Sequence, residues 1–112
     1  MSEFLLVFRR DYKTKKVQPS AEELQKHIKN WQDWYGNLAS QNILSKPVQR
    51  LDPKGKVLKG DNTISENPYA EVKESIGGVI TIKADDYDSA INIAKGSPIF
   101  ELNGSVEVRQ LS

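Results

Sequence analysis

The sequence predicts an α+β domain in which two helices cover one face of an antiparallel sheet, the ferredoxin-like βαββαβ sandwich. Three observations predict this class: a short apolar strand followed by a long capped helix, a β-branched strand followed by a shorter helix, and a final segment of alternating residues. At 112 residues, the chain has the length of a single domain spanning residues 1–112.

The first strand and the first helix have the clearest sequence signals. Residues 4–9 form a short apolar run with β-forming side chains, which predicts a buried strand. Ser20 and Glu23 form a capping box, and the helix after them is expected to extend to about Ser40. Its apolar face recurs at four- and three-residue steps: Leu24, Ile28, Trp31, Tyr35 and Leu38. Gly36 costs this helix roughly 1 kcal/mol relative to alanine, so we interpret it as a point of close packing.

The second half of the chain supplies the remaining elements. Segments 47–51 and 56–59 are strand candidates around a proline-glycine turn. The strand 79–83 precedes a helix capped by Asp85 or Asp86. The last strand, 105–109, alternates as a half-buried strand should. The adjacent glycines Gly77 and Gly78 do not open a helix, so we interpret them as a bulge or a close approach rather than a phosphate-binding loop.

Composition excludes several classes of function. Sixteen basic and fifteen acidic side chains create no strong field for a phosphate backbone, so we expect no nucleic-acid partner. The chain has no cysteine and one histidine, and we therefore expect no metal site and no cofactor. No apolar run approaches the roughly 20 residues of a membrane span, and the acidic start does not fit a signal peptide. We expect no membrane contact and a cytoplasmic location.

The single histidine is the candidate for proton transfer. On the predicted helix, His27 shares a side with Trp31 and Trp34. Imidazole titrates near neutral pH, so His27 could act as a catalytic acid or base in an aromatic pocket, with Trp34 as a wall that contacts the ligand. The alternative is a partly exposed histidine that flanks the apolar stripe and has no chemical role.

Charged side chains at alternating strand positions form a second candidate site. Glu107 and Arg109 point the same way on the last strand, and Arg9 ends the first strand. Arginine suits carboxylates and phosphates, so this cluster could bind an anionic small molecule. The alternative is a set of ion pairs that closes a dimer.

Further ligand-binding candidates precede the glycine pair. Tyr69 could donate a phenolic hydrogen bond to a ligand or could simply pack at a strand start. Glu71 and Lys73 point the same way if that stretch is extended.

The sequence resembles the YCII-related domain family over nearly its whole length. The residues that carry the likeness are the helix start 19–24, the pair Trp31 and Trp34, the segment 70–78 and the last strand 105–109. The match is closest to the branch with an Asp-Gly-Pro-Phe motif, at whose position residues 66–69 read Glu-Asn-Pro-Tyr.

This resemblance implies a dimeric α+β barrel, in which the bare sheet faces of two copies meet, and a cleft between sheet and helices. It leaves open whether the protein is an enzyme, although a histidine and an aspartate have been suggested as catalytic in other branches. We therefore expect a homodimeric small-molecule-binding protein. The alternative is a non-catalytic regulatory or protein-interaction module.

Overall fold

The computed structural model describes residues 1–65 and 74–112. Its strands and helices along the chain are β1 (Ser2–Asp11), α1 (Ala21–Ser40), β2 (Gln49–Arg50), β3 (Val57–Leu58), β4 (Ile64–Ser65), β5 (Glu74–Ala84), α2 (Tyr87–Ala94) and β6 (Ser105–Gln110). Two 3-10 helices lie at Lys15–Val17 and Pro98–Leu102.

In the described residues, the main sheet has four antiparallel strands in the order β2-β5-β1-β6. The two long strands β1 and β5 lie at its centre, and the last strand β6 pairs with the first. This arrangement of sheet and helices confirms the α+β class and is consistent with a ferredoxin-like fold. The strand candidates of the middle region do not pair with each other, because β2 joins β5 while β3 forms a separate hairpin with β4.

The predicted capping box of α1 is present. The Ser20 hydroxyl accepts a hydrogen bond from the Glu23 backbone N–H at 3.1 Å, and the Glu23 carboxylate accepts one from the Ser20 N–H at 3.3 Å. Asp86, rather than Asp85, caps α2 by accepting from the Ser89 N–H at 2.8 Å. Each cap satisfies backbone donors that have no partner inside the helix.

The core lies between one face of the sheet and both helices. Alternate residues of β1 and β5 point into it, since successive side chains of a strand face opposite sides. Its buried members are Phe4, Leu6, Phe8, Leu38, Ile80, Ile82, Ala84, Ala90, Ala94 and Ile99. Because α1 and α2 both contribute to this cluster, no helix of the described residues covers the opposite sheet face.

The interpretation of Gly36 as a packing point is wrong. A side chain added at Gly36 would meet nothing within 4 Å, and the residue is exposed on α1. This glycine therefore costs helix stability without any compensating contact.

The glycine pair, by contrast, forms both a bulge and a close approach, as predicted. Phe8 pairs with Gly78 but Arg9 pairs with Ile76, so Gly77 is the extra residue of β5. A side chain at Gly77 would overlap the hydroxyl of Tyr12, and one at Gly78 would lie 3.2 Å from the Gln49 carbonyl oxygen. The two glycines thus let Tyr12 and β2 approach the end of the sheet.

Candidate functional site

A cavity of about 510 Å³ lies between α1 and the end of the sheet that carries the bulge. Side chains of α1 form one wall, and the other wall includes Phe8 and Arg10 of β1 and the backbone of Gly77 and Gly78. The two glycines contribute only backbone to this wall, because Tyr12 and β2 occupy the positions where their side chains would lie. A volume of this size is typical of small-molecule sites, which run to roughly 300–1,000 Å³.

The apolar wall is an aromatic cluster centred on Trp31. The Trp31 ring lies edge to face with Phe8 at 4.9 Å and with Trp34 at 5.6 Å, and it is tilted against Tyr35 at 5.3 Å. Such contacts hold the rings more tightly than burial alone. Trp31 lines the cavity, whereas Trp34, predicted as the ligand-contacting wall, packs behind it beside Phe8 and Gly96.

His27 is buried, and both of its ring nitrogens have partners. The Trp31 indole N–H donates to Nε2 at 2.8 Å, so Nε2 carries no proton and Nδ1–H donates to the Glu101 carboxylate at 2.8 Å. The network ties α1 to the 3-10 helix at Pro98–Leu102 and fixes Trp31 at the cavity. A role for His27 in proton transfer stays a prediction, and it requires Trp31 to release Nε2.

Glu101 anchors this network from the solvent side. Asn30 donates to both of its carboxylate oxygens, at 3.3 and 3.0 Å. Burial alone would raise the pKa of Glu101, but the hydrogen bonds from His27 and Asn30 outweigh it and lower the pKa below its ordinary value. Glu101 is therefore a carboxylate at neutral pH, which favours the Nδ1–H form of the histidine.

The polar side chains at the cavity include cationic and phenolic groups. Arg10 and Arg50 approach it from β1 and β2, and Tyr12 and Tyr35 bring hydroxyl groups. Burial raises the pKa of Tyr35 to about 12, with opposing effects from Arg50, which lowers it, and Tyr12, which raises it. Tyr35 thus remains a hydrogen-bond donor across the physiological pH range.

The predicted charged cluster is present, on the neighbouring strands β1 and β6. The Arg9 guanidinium lies 3.3 Å from one oxygen of Glu107, and the Arg109 guanidinium lies 2.9 Å from the other. Hydrogen bonds from Arg109 and then Arg9 lower the pKa of Glu107, and the pairing with Glu107 raises that of Arg109. Val7 lies between Leu6 and Phe8 and therefore points away from the core. Glu107 pairs with Val7, and Arg9 lies two residues further along β1, so Arg9 and Glu107 share that face.

The structure separates the predicted histidine site from the predicted arginine cluster. Arg9 and Glu107 lie on the open face of the sheet, the one that no helix of the described residues covers, whereas His27 and the cavity lie on the helix face. The two sets do not form one site within the described part of the chain. The remaining candidates Tyr69, Glu71 and Lys73 lie outside the described residues.

Sequence reasoning missed Arg10, the buried cation of the cavity. The signal was available, since Arg10 continues the alternation of Phe4, Leu6 and Phe8 on the helix face of β1. It also missed Glu101, which lies 74 residues from His27 and has no local pattern that points to it.

Residues 1–65 and 74–112 contain no group of three or more histidine, aspartate or glutamate side chains placed to hold a metal ion. Neither of their helices combines the length and the apolar character needed to cross a membrane.

The fold and the cavity define an α+β domain with one helix-covered sheet face and an internal site at the end of the sheet. The family model of the YCII-related domain matches residues 5–112. The chain belongs to the YCII-related domain family. A comparison with curated proteins gave no match.

Proposed function

We propose that this member of the YCII-related domain family is a homodimeric small-molecule-binding protein whose ligand occupies the cavity between α1 and the sheet. The observation that carries the proposal is the cavity itself, which combines about 510 Å³ of space, an aromatic wall and a few polar groups. The hydrogen bonds of His27 to Trp31 and Glu101 support it, because they hold that wall in place before any ligand arrives.

Filling the cavity is expected to abolish binding without unfolding the protein. Ile28 lies at the cavity on α1 and is 37% exposed, so the Ile28→Trp variant can place its ring in the opening. Ligands are first found by an NMR screen of small organic acids, amines and neutral molecules. Calorimetry should then show that they bind this variant at least about tenfold more weakly, which corresponds to a loss of about 1.4 kcal/mol of binding free energy.

Ile91 provides the matched control for that variant. It lies on the surface of α2, is 41% exposed and does not line the cavity. Ile91→Trp should bind every ligand like the unmodified protein. Equal binding by Ile28→Trp and Ile91→Trp would place the ligand elsewhere.

The open sheet face is the proposed dimer interface. Leu5 and Val7 of β1 alternate with the core residues and point to this face, where Leu5 is half-buried and Val7 is buried by its neighbours. The charged cluster of Arg9, Glu107 and Arg109 lies beside them. An apolar strip with flanking ion pairs suits an interface between two copies, because the core of an interface is apolar and its rim is polar.

Neutralising Glu107 is expected to weaken the dimer. Glu107→Gln would leave two unneutralised guanidinium groups on a face that meets the same face of the partner, and like charges repel across an interface. Sedimentation velocity should show a dissociation constant raised about fivefold or more. The exposed Glu22→Gln on α1 is the control, and equal dissociation constants for the two variants would argue against this interface.

The Glu107 carboxylate gives the proposed dimer a pH dependence of known sign. Because the pKa of Glu107 is lowered, its ion pairs are fully present above the ordinary carboxylate range and are lost as pH falls through the lowered value. Sedimentation velocity should therefore show a Glu107 contribution that is constant around neutral pH and is lost only in acid below the ordinary range of a glutamate pKa.

A further inference from the structure

We propose that the ligand of the cavity is an aromatic carboxylate, whose anionic group binds the Nε–Nη2 edge of the Arg10 guanidinium. The inference rests on the proposed binding function of the cavity and adds the chemical class of its ligand. It assigns Arg10 the role of the anchor and the Trp31 cluster the role of the surface on which the aromatic body packs.

The first observation is the burial of Arg10. Its exposed fraction is only 9%, although a buried charge is costly unless another group compensates it. Among the described residues, its hydrogen-bond acceptors are neutral: the Asp11 backbone oxygen at 3.3 Å and the Gln18 side-chain oxygen at 3.1 Å. No ion pair joins Arg10 to a carboxylate side chain within this part of the chain.

The second observation is which atoms of the guanidinium are used. Both hydrogen bonds start from Nη1, and they account for the two protons of that nitrogen. Nε and Nη2 donate to none of the described residues. They form the edge of the guanidinium with two parallel N–H groups, and this edge matches the two oxygens of a carboxylate.

The third observation is that Arg10 is held in place before a ligand binds. Its guanidinium lies 4.0 Å from the centre of the Tyr12 ring, in a cation–π contact. The Gln18 amide nitrogen donates to the carbonyl oxygens of Asp11 and Thr14, at 2.8 and 3.1 Å, which turns its oxygen toward Arg10. A guanidinium fixed on two sides loses little further entropy when it binds an anion.

The surroundings also favour an anion with an aromatic body. Of the described residues that line the cavity, none is an aspartate or a glutamate, and Arg50 adds a second positive charge at its exposed end. Elsewhere the wall includes the rings of Phe8, Trp31 and Tyr35 beside aliphatic side chains. An aromatic carboxylate therefore finds a cationic fork and a matching apolar surface in the same cavity.

The test uses 2-naphthoate and its neutral isostere 2-naphthamide as probes of the unmodified protein. Calorimetry should show the carboxylate binding about tenfold to a hundredfold more tightly than the amide, the range expected for a charge-assisted pair. In NMR spectra, 2-naphthoate should shift the Nε–H resonance of Arg10. Equal affinity for the two probes, or no binding of 2-naphthoate at millimolar concentration, would overturn the carboxylate assignment.

Three variants identify the anchor. Arg10→Met removes the charge, so the affinity for 2-naphthoate should fall about a hundredfold. Arg10→Lys keeps the charge but lacks the two parallel N–H groups, so the affinity should fall about tenfold. Lys29→Met is the control, because it removes a positive charge from an exposed position of α1 that does not line the cavity, and it should bind like the unmodified protein. Thermal unfolding shows whether each variant is folded, and the two-probe comparison needs no variant at all.

The outcomes separate this inference from the proposed function beneath it. If Ile28→Trp abolishes binding of both probes while Arg10→Met binds 2-naphthoate normally, the cavity binds ligands but Arg10 is not the anchor. If Ile28→Trp leaves 2-naphthoate binding unchanged, the cavity is not its site and both proposals fail.

Discussion

Phe8→Ala is expected to lower the free energy of unfolding by about 3–5 kcal/mol, the cost of removing a phenylalanine ring from a packed core. Phe8 is 3% exposed and belongs to the core, and its ring supports Trp31 and Trp34 at centroid distances of 4.9 and 6.0 Å. It also lines the cavity, so its loss would join a new void to existing space. Urea denaturation followed by tryptophan fluorescence measures the change.

Phe100 offers the same chemical change at an exposed position. Its side chain is 49% exposed and lies in the 3-10 helix at Pro98–Leu102. Phe100→Ala should cost less than about 1 kcal/mol, since a surface substitution of this kind removes little buried area. If Phe8→Ala costs no more than Phe100→Ala, the aromatic cluster does not support the fold in the way described.

The arrangement of β1 shows which side-chain positions the alternation of a strand can predict. The strict two-residue period places Phe4, Leu6 and Phe8 in the core and sends Arg9 to the other face. The cluster of Arg9, Glu107 and Arg109 was predictable for the same reason, because two strands that alternate regularly and lie side by side bring equivalent positions together. Capping was predictable too, since a cap involves residues only three apart.

The cavity could not be predicted in the same way. The cavity depends on the distance between α1 and the sheet. Packing among Trp31, Phe8 and Trp34 sets this distance, and no local sequence pattern does. The partner of His27 illustrates the same limit, because Glu101 reaches it only through the return of the chain after α2. Gly36 was misinterpreted for a related reason: its sequence context is the same whether the helix surface at that point is packed or exposed.

Gly104→Ala is expected to destabilise the protein by at least about 2 kcal/mol, a cost typical of forcing atoms into a packed site. A Cβ atom at Gly104 would lie 2.6 Å from the Arg9 carbonyl oxygen and 2.6 Å from Cγ1 of Ile99. The carbonyl belongs to β1, where Arg9 pairs with Ser105, so it cannot move without disturbing the edge of the sheet. Thermal and urea unfolding measure the loss.

Gly36→Ala is the matched substitution at an open position. Both variants restrict the unfolded chain equally, and neither glycine has a positive φ. The difference between the two changes in unfolding free energy therefore reports mainly the close contact at Gly104. Gly36→Ala should stabilise the protein by about 0.5–1 kcal/mol, because alanine is the better helix former. A Gly104→Ala variant as stable as Gly36→Ala would mean that β6 does not lie against β1 as described. The placement of Glu107 beside Arg9, and with it the proposed dimer interface, would then fail as well.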